Sequence, residues 1–97
     1  MTAALHTVHL QYYASGEGWR EDIAVLWATD EAQATADFLA LFGYGGPDSY
    51  FGRGVEVSRG IDRKVLGEWL TPAQLRRLER TLPHSGRFSL RYFFTMS

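Results

Sequence analysis

Histidine is the first residue type to weigh, since an imidazole can hold a metal or move a proton near neutral pH. His6 and His9 stand three apart in LHTVHLQYYA, a stretch that alternates apolar and polar residues. A strand sends residues three apart to opposite faces, so these two cannot close on one ion. His84 follows Pro83 with no companion ligand nearby. A zinc site needs three or four converging ligands, and the spacing predicts none. Of the serines at 15, 49, 58, 85, 89 and 97, only Ser85 neighbours a histidine. Adjacency in sequence supplies no third, orienting group, and no serine lies in a strand-to-helix elbow. The acid pairs Glu21-Asp22 and Asp30-Glu31 read as a solvated strand start and a capping turn, not as an acid–base couple. These residues predict no catalytic, metal or cofactor site, and a small enzyme is the least favoured function.

Two stretches carry the chemistry of binding instead. GYGGPDSYFGRG, residues 43–54, has five glycines with Tyr44, Tyr50 and Phe51 as aromatic anchors and Arg53 as the candidate contact for an anion. It is not a phosphate loop. Such loops run from a strand into a helix N-terminus, where free N–H groups attract anions. This one leaves a helix C-terminus, the negative end of the dipole, so it reads as a packed turn. GRFSLRYFF, residues 86–94, mixes arginine with rings, as does the strand with which RNA-recognition sheets stack bases. The near-neutral net charge of −1 supplies no basic field to go with it.

The elements that position these residues follow from hydrophobic period. In Leu5 to Ala14, Val8, Leu10 and Tyr12 fall on one face, and His9, Gln11 and Tyr13 on the other. SGEGW reads as a hairpin loop. The next strand, about Glu21 to Ala28, breaks alternation because Ile23 to Ala28 are all apolar. That fits a strand covered on both faces, one cover being another protein in a chain with few helices. Asp30 is the expected N-cap of a helix, with Gln33 closing a capping box and Gly43 ending it. Its apolar stripe reads as Ala32, Thr35/Ala36, Leu39 and Phe42. Val55 and Val57 mark a short strand, and residues 61–70 are a turn followed by a strand or an irregular approach. Thr71, Pro72 and Gln74 open a second helix, with Leu70 and Leu75 as a hydrophobic staple and Pro83 as its end. Arg87 to Met96 is the last strand, with Arg87, Ser89, Arg91 and Phe93 on one face.

The order β-β-α-β-α-β over residues 1–97 predicts a single α+β domain. The expected form is a two-layer sandwich: a mixed four-stranded sheet with two helices on one face. Its other face would expose His9, Tyr13, Trp27, Arg87, Arg91 and Phe93, more ring-bearing area than a free surface carries. Residues 1–50 hold one base and seven acids, and residues 51–97 hold nine bases and four acids. The two halves either pair across the domain or leave a bipolar surface that steers a charged partner. There is no cysteine, and the longest fully apolar run, Ile23 to Ala28, is far short of the roughly 20 residues of a membrane span. MTAAL lacks the features of a signal peptide, so a cytoplasmic protein is expected. The reading that follows is a non-catalytic protein-binding module of the accessory, inhibitor or immunity type. Its partner is another protein or a second copy of itself, the homodimer forming through the open sheet face or an edge strand. The alternative is a nucleic-acid-binding protein using the basic-aromatic face.

Overall fold

A computed structural model describes residues 2–14, 18–45, 54–85 and 87–94. Strands β1 (Ala4–Ala14) and β2 (Gly18–Ala28) form a long hairpin, followed by helix α1 (Glu31–Phe42) and strand β3 (Glu56–Arg59). Helices α2 (Arg63–Leu66) and α3 (Pro72–Ser85) then lead to strand β4 (Arg87–Phe94). The four strands make one sheet in the order β3-β1-β2-β4. The chain is a small α+β sandwich, and every pairing is antiparallel where a mixed sheet was expected. β2 and β3 do run the same way, as the crossover through α1 implies, but β1 lies between them.

The helices divide between the two faces instead of sharing one. Val8, Leu10, Ala24, Leu26 and Ala28 pack with Ala34, Phe38 and Leu39 of α1. Ile23 and Val25 pack with Leu66 of α2 and Leu75 and Leu82 of α3. Neighbours on a strand point to opposite faces, so β2 is buried from both sides by its own chain. That accounts for the unbroken apolar run. The stripe of α1 is Ala34, Phe38 and Leu39, one step round from the expected one, and Ala32 is exposed.

Local signals set the helix ends. The Gln33 N–H donates to Asp30 Oδ1 at 2.8 Å, while Gln33 Oε1 accepts from the Thr29 N–H at 2.6 Å. Gly43 takes φ +74°, and the N–H groups of Gly43 and Tyr44 close on the carbonyls of Ala40 and Leu39. The Gln74 N–H donates to Thr71 Oγ1 at 3.2 Å and Gln74 Oε1 accepts from the Thr71 N–H at 2.9 Å, the expected capping box. α3 continues two residues past Pro83. In the last turn a proline removes one intrahelical bond but keeps a helical φ. Residues 61–70 hold the one-turn helix α2 and no strand. Asp62 starts it by accepting from the N–H groups of Lys64 (3.0 Å) and Val65 (3.2 Å). Buried Thr7 anchors this corner to β1, donating to the Gly60 carbonyl at 2.7 Å and accepting from the Asp62 N–H at 2.9 Å.

Candidate functional site

The acids Glu21 and Asp22 are not solvated: they are 3% and 0% exposed. Being neighbours on β2, they serve opposite faces. On the α1 side the Tyr44 hydroxyl donates to Asp22 Oδ2 and lies 2.8 Å from the Tyr12 hydroxyl. Tyr12 also accepts from Arg20 Nη1 at 3.5 Å, and the rings of Tyr12 and Tyr44 meet edge to face. Burial, then the bond to the Asp22 carboxylate, raises the Tyr44 pKa well above the ordinary phenol value. On the α2–α3 side Trp69 Nε1 donates to Glu21 Oε1 at 3.0 Å. His9 Nε2 lies 2.8 Å from the same oxygen without lining up as a hydrogen bond, and His9 Nδ1 is 4.0 Å from Glu56 Oε2. Among the described residues, both carboxylates are enclosed beside these partners. Among the described residues no three His, Cys, Asp or Glu side chains gather as metal ligands.

The register separates the six expected partner-binding residues. His9, Tyr13 and Trp27 stand across from Ile23, Trp19 and Leu5, in rows belonging to the α2–α3 face. Arg87, Arg91 and Phe93 stand across from Leu26, Asp22 and Arg20, in the alternate rows. A one-residue difference in strand phase moves a whole set to the other face, so no single open face carries all six. Tyr13 is 54% exposed and pairs its ring with Trp19, centroids 5.6 Å apart. Trp27 is 41% exposed, but it sits eight residues along β2 from Trp19, about 26 Å away. His9 is committed to Glu21, and Tyr44 to Asp22. Tyr50, Phe51 and Arg53 lie outside the described residues.

Helices pack on both faces at the centre of the sheet, and the sheet also has two edges. β3 is four residues long and carries exposed Glu56 and Arg59, the short, charged form in which proteins leave a harmless edge. β4 differs. It pairs with β2 over eight successive positions with no bulge, contains neither proline nor lysine, and among the described residues has no strand on its outer side. Above this edge a groove of about 270 Å³ opens between α3 and β4, lined by Leu70, Gln74, Arg77, Leu78, Thr81 and Phe88. Leu78 and Phe88 are half-buried there, leaving an apolar floor. Sequence reading missed the groove, because Leu78 and Phe88 meet only through the tertiary fold. It also placed Trp19 in the hairpin loop.

No helix among the described residues is long and apolar enough to cross a membrane. No family model, curated protein or solved structure matches the chain.

Proposed function

We propose that the chain is a non-catalytic, cytoplasmic protein-binding module that takes an extended segment of a partner onto the outer edge of β4. The observation that carries this reading is the length and regularity of that edge. Eight residues extend about 27 Å, and their outward N–H and C=O groups form a ready template for another strand. Natural edges are often shortened or bulged unless something covers them, and β4, although it carries Arg87 and Arg91, is neither. The exposed Tyr13–Trp19 ring pair, across β2 from Phe94, lies beside the far end of the same strand and adds apolar contact area there. A second copy pairing β4 to β4 about a two-fold axis is the homodimeric form of the same contact.

Backbone amide exchange tests this. In the isolated protein, alternate amides of β4 exchange quickly and the rest are held by β2. Binding a partner captured from the host extract protects the fast set. A captured partner that leaves those amides exchanging freely refutes strand addition.

A further inference from the structure

The charge around the β4 edge is one-sided. Arg76, Arg77 and Arg80 are all exposed on α3. At 100° per residue they occupy one continuous solvent-facing arc of that helix, and Arg77 also lines the groove against Phe88. The helix's one acid, Glu79, is already taken: Arg63 donates to it through Nε at 3.1 Å and Nη2 at 2.5 Å. The acids of α1, Glu31 and Asp37, are exposed on the opposite face of the sheet. Among the described residues no ion pair joins an α3 arginine to an acid of the first half of the chain. The arginines of α3 are therefore not neutralised by the acids of the first half. Arg77 is thus the exposed cation at the apolar groove, with Arg80 one turn along the same arc, while Arg76 lines a separate pocket beside Arg63 and Leu75.

We infer that the segment received at β4 is an acidic, extended peptide, with apolar side chains entering the Leu70–Leu78–Phe88 groove and carboxylates meeting Arg77 and its neighbours. This rests on the strand-addition reading and names the partner's chemistry. The charge argues against a second copy as occupant, because a two-fold β4–β4 pair sets both α3 helices on one face, with Arg77 of each on the groove side toward the other. The apolar floor favours a peptide over a phosphate backbone, which would leave Leu78 and Phe88 uncovered.

The test titrates three synthetic peptides as long as β4, each alternating valine with glutamate, serine or lysine, and a single-stranded oligonucleotide. Binding is read by tryptophan fluorescence and by β4 amide exchange. The glutamate peptide is expected to bind and protect the fast β4 amides. Arg77→Glu is expected to weaken it about tenfold, the size of one reversed, part-exposed charge contact, while circular dichroism stays unchanged. Arg77→Glu/Arg80→Glu is expected to prefer the lysine peptide. Equal β4 protection by the serine and glutamate peptides keeps strand addition and overturns the acidic specificity. Arg77-dependent binding of the glutamate peptide without β4 protection does the reverse. Binding of the oligonucleotide alone, binding of no probe, or a β4-paired dimer in sedimentation overturns the inference.

Discussion

Replacing Tyr44 with phenylalanine removes one oxygen and leaves the ring in place against Tyr12 and Phe42. That oxygen donates to a carboxylate with no solvent exposure and bonds a second hydroxyl at 2.8 Å. A hydrogen bond to a buried charge is worth about 1.5–3 kcal/mol and a neutral one about 1 kcal/mol. Tyr44→Phe should therefore cost about 3 kcal/mol, a large share of the roughly 5–15 kcal/mol that holds a small domain folded. At about 4–8 °C per kcal/mol for a chain of this size, the melting temperature should fall by roughly 12–24 °C. Urea denaturation followed by tryptophan fluorescence measures the free energy directly. The pH dependence supplies an independent check. The phenol pKa is raised by folding, so its contribution is complete below the unfolded value of about 10 and is lost as pH rises toward the folded value. The gap between wild type and Tyr44→Phe should accordingly narrow above pH 10. A variant within about 0.5 kcal/mol of wild type, or a gap that stays constant through that alkaline range, would show that Asp22 does not depend on this donor.

Three further outcomes follow from the caps and the second acid. Asp62 is held below the usual carboxylate range, first by the Ser58 hydroxyl and then by the Val65 and Lys64 N–H groups. Its contribution is thus present above about pH 4 and lost as pH falls through the lowered value. Asp62→Asn should flatten the acid limb of a stability–pH curve and leave the neutral region nearly level. Gly43→Ala meets no atom within 4 Å but must adopt φ +74°, so denaturant melts should show a loss of about 1–2 kcal/mol from backbone strain alone. A much larger loss would mean a steric clash. Trp69→Phe keeps an aromatic ring and removes the donor to Glu21. A cost of about 1.5–3 kcal/mol in chemical denaturation is expected, and no cost would mean that Glu21 does not depend on this donor.

The parts of the fold that were legible in the sequence are those written within one helical turn or one strand. Asp30, Gly43 and Thr71 announce their roles through neighbours three or four residues away, and the structure places each where its spacing requires. The Ile23–Ala28 run reported a strand covered on both sides, which holds at every position of the run except Trp27. It could not report by what, because that depends on which face each helix takes. α1 carries apolar residues on more than one arc, so its buried stripe was read one step out of phase, and both helices were assigned to one face. The relative phase of β4 against β1 was illegible for a similar reason. Alternation fixes which residues share a face within a strand, but only the register relates one strand to the next. Glu21 and Asp22 were misread because the groups that bury them come from 48 and 22 residues away, at Trp69 and Tyr44. Nothing local distinguishes a solvated acid pair from two separately enclosed ones.

Those two acids bear on specificity more than on stability. Enclosing a carboxylate costs desolvation that its partners offset only in part, and apolar residues in their places would hold the sheet at least as well. What apolar residues would not do is distinguish the layers. The β2 run is greasy on both faces, and helices with broad apolar surfaces could dock on either. Asp22 gains the Tyr44 donor when the segment after α1 brings it to one face, and Glu21 gains the Trp69 donor when the turn before α3 brings it to the other. Exchanging the layers would strand both carboxylates without those donors, so adjacent positions on one strand select a single arrangement. That arrangement also fixes which surfaces the sheet presents. It spends both sheet faces on the chain's own helices, sets the acidic helix and the basic helix on opposite sides, and leaves the β4 edge beneath the basic one. An edge with no outer strand among the described residues, with exposed Arg77 at the groove above it, is then a consequence of how β2 is enclosed, and the proposed carboxylate-bearing segment would complete both.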